Sequence, residues 1–143
     1  MATLEIAIAF AAKQHAGQVD KANVPYILHP LRVMLNVPTI DHKIIAVLHD
    51  ILEDTETTSS DLRSLGFQSH IIEAIESLTK HDGETRIEAA KRTVQNSLAR
   101  VVKLADINDN MDLSRIQSPT VKDFERLKEY QRVQDILLMK NTY

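Results

Sequence analysis

The chain has 143 residues, 43% of them hydrophobic but only 4% aromatic, with three Gly, four Pro, no Cys and a formal net charge of −3. That length suffices for one ordinary domain with a core that needs no covalent staples, and the missing Cys excludes disulfides and thiolate metal ligands. An acidic balance argues against a general nucleic-acid binder, and no segment approaches membrane-spanning length, so a cytoplasmic protein is expected.

Helices packed through Leu, Ile, Val and Ala account for this composition, and residues 1–143 are read as a single all-α domain. Thr3 is placed to cap a first helix running to Ala16, ended by Gly17, and the turn formers between Gln18 and Tyr26 predict a loop. His29-Pro30 opens a second helix, with Pro30 at the first helical position, that stops before Pro38. A central helix is predicted from Asp41 to Asp54, with Ile44, Leu48, Ile51 and Leu52 on its core face and His42, Ala46, His49 and Glu53 on another stripe. Thr58 or Ser59 caps a short helix through Leu65, which Gly66 breaks, and Phe67 to Leu78 forms an amphipathic helix. Glu84 to Asn96 is mostly polar and predicts a solvent-facing helix. Leu98 to Ile107 is a strongly apolar stretch, and Val121 to Lys140 a last helix whose Leu137 and Leu138 belong either to the core or to a homodimer contact.

The end of the central helix is where the chemistry collects. In a continuous helix His49 lies one turn from Glu53 and Asp50 one turn from Asp54, so an imidazole and three carboxylates meet at the negative pole of the helix dipole. Like charges at that pole cost about 0.3–1 kcal/mol each, a cost that a bound cation reverses. The plainer reading is a solvated acidic helix end. Asp106 is a second anomaly, because it interrupts the apolar run from Val101 to Ile107 with a carboxylate that is costly to bury unpaired. Its plainer reading is an ion pair with Lys or Arg, or exposure to water; that of His29 is a capping or core-edge histidine.

His29, His49, Asp50 and Asp106 come from three separated predicted helices. Two imidazoles and two carboxylates suit a six-coordinate divalent ion with about two positions left for water or substrate, and manganese, iron or zinc are all compatible with mixed nitrogen and oxygen donors. Such open positions imply chemistry rather than scaffolding.

The order and setting of His29, His49-Asp50 and Asp106 resemble those of the HD-domain metal-dependent phosphohydrolases. His15-Ala16-Gly17-Gln18, Pro25-Tyr26-Ile27-Leu28-His29-Pro30-Leu31, Leu48-His49-Asp50-Ile51-Leu52-Glu53-Asp54-Thr55, Leu78-Thr79-Lys80 and Val102-Lys103-Leu104-Ala105-Asp106 with Asn110-Met111 are similar to the hydrolase domain of RelA/SpoT proteins and to the short stand-alone alarmone hydrolases. The resemblance covers nearly the whole chain. It implies an HD-type helical bundle with a metal site between helices, and removal of the 3′-pyrophosphate of (p)ppGpp to give GDP or GTP and pyrophosphate. Under it His29, His49, Asp50 and Asp106 hold the metal, most often Mn2+; Glu53 and Asp54 handle the attacking water and its proton; Lys21, Asn110, Arg126 and Tyr130 contact the guanine nucleotide.

Asp20 stands before Lys21 where the family has Arg, Asp112 follows Met111 where it has Arg, and Asp109 replaces a His or Tyr. Lys80 and Arg115 are further cations within reach of such a substrate. Three functions follow as alternatives: an alarmone pyrophosphohydrolase without a synthetase domain, an HD phosphohydrolase of another nucleotide or phosphate monoester, and a non-catalytic nucleotide-binding or structural helical protein.

Overall fold

A computed structural model describes residues 1–139; Lys140, taken above as the end of the last helix, lies outside them. The described residues form nine α-helices and one 3₁₀ turn, with an isolated bridge between Val19 and Pro25 as the sole extended pairing among them. In chain order these are α1 (Leu4–Gln14), α2 (Leu28–Leu35), α3 (Ile40–Leu48), α4 (Ile51–Asp54), α5 (Ser59–Ser64), α6 (Ser69–Leu78), α7 (Arg86–Thr93), α8 (Ser97–Asn110), the 3₁₀ turn Leu113–Arg115 and α9 (Val121–Met139). No helix among them is long and apolar enough to cross a membrane.

Local chemistry explains most of the helix starts. Thr3 accepts from Ile6 N, Thr39 from His42 N and Asn96 from Ala99 N, while Thr58 with Asp61 and Thr85 with Glu88 close reciprocal capping boxes. Each such cap is worth about 1 kcal/mol. Gly17, at φ 87°, adopts the left-handed conformation that turns the chain out of α1 and into the loop before α2. There Asp20 Oδ1 accepts from Ala22 N at 2.8 Å and Val24 N at 3.2 Å, closing a tight turn. Helix α2 begins at Leu28, so Pro30 is its third residue rather than its first; its missing N–H still falls in the turn where none is needed.

Helix α3 is the axis of the molecule. It is packed by α1, α2, α6 and α8. Ile44, Ile45, Ala46, Val47 and Leu48 are all buried, so the single core face expected from the sequence widens to the whole circumference. A smaller cluster of Ala90, Ile107, Val133 and Leu137 joins α7, α8 and α9. Helix α7 is therefore not simply solvent-facing: Ala90 and Thr93 are buried against its neighbours. Of the last-helix pair, Leu137 is core and Leu138 is exposed.

The central helix is also broken, at His49-Asp50, into α3 and α4. In an uninterrupted helix the Asp50 N–H would donate to Ala46 O. Instead His49 takes that carbonyl twice, with its backbone N–H at 3.3 Å and its ring Nδ1 at 2.5 Å, and Asp50 relaxes to φ −100°, ψ 2°. The crowding of charge at one helix end is thereby relieved, since Glu53 and Asp54 lie in the first turn of α4.

Candidate metal centre and its two cavities

Helices α2, α3 and α8 each send a buried polar side chain to one point. His29 Nε2 lies 2.9 Å from Asp106 Oδ1 and 3.9 Å from Asp50 Oδ2, and His49 Nε2 lies 3.1 Å from Asp50 Oδ2 and 3.3 Å from Asp106 Oδ1. The donors of His29, His49 and Asp50 all fall within 4.8 Å of one another. Adjacent ligands at about 2.1 Å from one ion stand about 3 Å apart, so these separations suit a shared divalent cation.

The tautomers point the same way. His49 Nδ1 faces the Ala46 carbonyl, a pure acceptor, and so carries the ring hydrogen; His29 sits between two carboxylates, Nδ1 2.6 Å from Asp109 Oδ2 and Nε2 2.9 Å from Asp106 Oδ1, and an ion at Nε2 would leave its hydrogen on Nδ1. Both Nε2 atoms are therefore turned toward the acids, and His49 Nε2 is buried with no hydrogen-bond partner. A buried orphan nitrogen facing two carboxylate oxygens demands a cation. A proton can supply part of that charge: burial opposes a charged His49 ring, but Asp50 and Asp106 outweigh it and hold its pKa well above the usual imidazole range. The donor set fits a divalent metal ion on these grounds.

Asp106 makes the ion pair of its plainer reading and also faces the two candidate histidine ligands. Its Oδ2 accepts from Lys103 Nζ at 3.0 Å, the ion pair expected of a buried acid, while Oδ1 faces the two histidines and accepts from Asn110 Nδ2 at 3.1 Å. Burial works against its charge, yet Lys103 and His49 hold the carboxyl well below the usual range. Asp50 Oδ2 also accepts from the Tyr26 phenol, whose own proton is held tightly by burial and by the Asp50 charge.

The acids of α4 differ from one another. Glu53 Oε1 accepts from Lys80 N at 2.9 Å, which fixes the side chain across to the end of α6. Burial, then the charges of Asp50 and Glu53, push the Asp54 carboxyl up to about 6. Its backbone is held from the other side: Gln18 Nε2 donates to Asp54 O at 3.1 Å, and Gln18 Oε1 accepts from His15 Nδ1 at 2.8 Å.

Two cavities meet at this point, sharing Tyr26, His29, Asn110 and Tyr130 in their walls. The first, about 440 Å³, is lined by Lys21, Arg32, Arg115 and Arg126 and also by Asp20, Asp109, Asp112 and Asp123. The second, about 240 Å³, contains Glu53, Asp54, Asp50 and Asp106 with the cations Lys80, Arg86 and Lys103. Lys21, Asn110, Arg126 and Tyr130, assigned to substrate on resemblance, thus all line the first cavity, with Lys21 3.9 Å and Arg126 3.5 Å from Asp123 Oδ1. Asp20 and Asp112 line it too; Asp112 pairs with Arg115 at 3.1 Å.

Sequence reasoning left Arg32, Arg86 and Asp109 without a role. Arg32 follows His29 by three residues and Asp109 follows Asp106 by three, a helical spacing that puts each on its neighbour's face and was the available signal.

No family model matches the chain. It is 33% identical over 135 residues to the guanosine-3′,5′-bis(diphosphate) 3′-pyrophosphohydrolase MESH1 of Danio rerio, covering 85% of this chain and 74% of that protein. It is 32% identical over 120 residues to the guanosine-3′,5′-bis(diphosphate) 3′-pyrophosphohydrolase of Aquifex aeolicus, and 32% over 116 residues to the bifunctional (p)ppGpp synthase/hydrolase SpoT of Escherichia coli. Those matches cover 76% and 71% of this chain but only 17% and 16% of the longer relatives. Among solved structures, that of a metazoan ortholog of SpoT that hydrolyzes ppGpp superposes with a TM-score of 0.78 at 22% identity, over 96% of this chain and 86% of that one, and so shares the all-helical fold.

Proposed function

Since the chain belongs to the guanosine-3′,5′-bis(diphosphate) 3′-pyrophosphohydrolase family, we propose that it hydrolyses the 3′-pyrophosphate of (p)ppGpp, releasing GDP or GTP and pyrophosphate. The observation that carries this reading is the meeting of His29, His49, Asp50 and Asp106 where two cavities join. A divalent ion held there, Mn2+ first and Fe2+ or Zn2+ as alternatives, would lower the pKa of a bound water and offset negative charge on the phosphoryl oxygens.

The side chains supply the rest. The guanosine and 5′-phosphates take the larger cavity against Lys21, Asn110, Arg126 and Tyr130, and the 3′-pyrophosphate reaches past His29 into the smaller one, where Lys80, Arg86 and Lys103 face its charge. Glu53, anchored through Oε1, keeps Oε2 to orient the attacking water and accept its proton. Water oxygen bonds to the phosphorus on the ribose 3′ oxygen, that P–O bond breaks, and Asp54, beside Glu53 in the wall of the smaller cavity, carries a proton to the leaving 3′ oxygen. We assign the cytoplasm as the compartment on the nucleotide nature of the substrate.

One observation favours a second substrate class. Asp20, Asp109, Asp112 and Asp123 balance the four cations of the larger cavity, which suits a nucleotide with less 5′ charge than (p)ppGpp. Incubation of manganese-loaded protein with ppGpp and with other nucleoside 3′- and 2′-phosphates separates these classes. Release of GDP and pyrophosphate from ppGpp at the highest kcat/KM is expected; orthophosphate release from simpler nucleotides with ppGpp untouched would transfer the assignment to the second class.

A further inference from the structure

Asp109 lines the larger cavity, but its carboxylate is engaged by protein partners. Its carboxylate is mostly enclosed and both of its oxygens are engaged: Oδ2 accepts from His29 Nδ1 at 2.6 Å, and Arg32 grips the pair through Nε to Oδ1 at 2.8 Å and through a terminal nitrogen to Oδ2 at 3.0 Å. Arg115 adds a bond to the Asp109 backbone carbonyl at 3.0 Å and lies 3.5 Å from Oδ2. None of the carboxylate's acceptor capacity is left pointing at a ligand.

We propose that Asp109 is a positioning residue for the metal centre: it holds His29 in the tautomer with hydrogen on Nδ1, aims Nε2 at Asp50 and Asp106, and is itself held in register by the Arg32 fork. The inference rests on the metal-dependent reading above and deepens it, by assigning this acid to the ion rather than to the nucleotide. A carboxylate behind a ligating histidine fixes ring orientation and raises ligand basicity. Arg32 makes the arrangement stable, because a lone anion at this depth would draw a full proton from the imidazole, whereas a bidentate guanidinium offsets the charge and leaves the hydrogen shared on the ring side. The geometry also explains how α2 and α8 are locked at the depth of the site, since both contacts bridge residues from one helix to the other.

Titration of the 143-residue chain with Mn2+ by calorimetry tests this directly, on the native protein and on Asp109→Asn and Asp109→Leu. Asparagine keeps an acceptor for Nδ1 without the charge, and leucine removes both. We expect affinity to fall about tenfold in Asp109→Asn and toward a hundredfold in Asp109→Leu, with one site retained in each. Nitrogen NMR of metal-free native protein at alkaline pH should find His29 with its hydrogen on Nδ1, and Asp109→Leu should shift it to Nε2. Mn2+ affinities within twofold of native in both variants, or a native His29 hydrogen on Nε2, would overturn the proposal. A lowered KM for nucleotide with unchanged metal affinity would do the same and mark Asp109 as a charge that merely repels substrate. Should Asp109→Leu fail to fold, Asp109→Asn and the native tautomer still decide. Absence of Mn2+ binding by the native protein would instead strike at the metal-dependent reading itself.

Discussion

Glu53 ties one carboxylate oxygen to the Lys80 backbone N–H and makes no hydrogen bond to any of the four candidate ligands, so its loss separates chemistry from binding. Glu53→Gln should keep its Mn2+ content, measured by metal analysis after desalting, and lose about 10²–10⁴-fold in turnover, the usual worth of acid–base help. Asp54 makes a prediction of the opposite kind, about stability. Its pKa rises from an ordinary 3.8 to about 6, so the folded state holds this proton more tightly than the unfolded chain does. Ionised Asp54 therefore opposes folding: the cost is absent below pH 3.8, grows between 3.8 and 6, and is complete above 6. Metal-free Asp54→Asn should melt higher than the native protein above pH 6 and equally below pH 3.8, with the gap shrinking when Mn2+ is added, because a nearby dication favours the ionised form. Equal melting curves at every pH would remove the basis for treating Asp54 as a proton carrier. At this scale the sequence was legible where a charge interrupts an apolar run, as at Asp106 and His49-Asp50. At Asp109 the spacing gave only the face it shares with Asp106; its partner depends on how closely α8 approaches α2, a distance no spacing within one helix encodes.

Helix boundaries were readable where their signals are local: Thr3 and Thr58 cap helix starts and Gly17 turns the chain out of α1, each acting within four residues of itself. The break between α3 and α4 was not, because helical periodicity runs straight through it, and it arises from a ring nitrogen that takes a backbone carbonyl. Helix α7 departs from the solvent-facing helix its sequence suggests for a similar reason, since its mean polarity hides a buried seam of Ala90 and Thr93. That helix also contains the staple of the α6–α7 connection. Arg92 donates to Ser77 O at 3.2 Å and to Thr79 O at 2.7 Å, and grips both oxygens of Glu84. Arg92→Ala removes the donor to Thr79 O, while Ser77 O keeps the Thr93 hydroxyl at 2.7 Å, and should cost about 1–3 kcal/mol in denaturant unfolding at neutral pH. Hydrogen bonds from Arg92 and His81 hold the Glu84 carboxyl down at about 2, against an ordinary 4.5. A lowered carboxyl contributes stability above its unfolded value and loses it as pH falls through the folded one. The difference between native and Arg92→Ala should thus narrow between pH 4.5 and 2. A difference that stayed constant over that range would mean the carbonyl bonds alone make up the staple.

The whole molecule is organised so that helices distant in sequence share one point: α2 brings His29, the end of α3 brings His49 and Asp50, and α8 brings Asp106, with α3 enclosed by the other helices. The kinds of residue involved were readable along the chain, and their convergence was not, because it depends on how α2 and α8 cross α3. Convergence has a cost before any ion arrives. Two acids and two imidazole rings are gathered in a poorly solvated place, and the Nε2 of His49 is left without a hydrogen-bond partner. An ion that binds the folded chain alone must then stabilise it by mass action, by about 2.7 kcal/mol at a hundred times its dissociation constant. For a chain of this size that corresponds to a rise on the order of 10 °C in Tm. Mn2+ should raise the melting temperature in proportion to the logarithm of its concentration, and a chelator should return it to the metal-free value. Asp106→Asn should abolish the metal-dependent shift, whatever it does to the metal-free melting temperature through the partner it takes from Lys103. Asp50→Asn provides the same test without disturbing that ion pair. A native protein whose melting temperature ignores Mn2+ would show that the helices meet without a shared ion, and the hydrolytic reading would lose its centre.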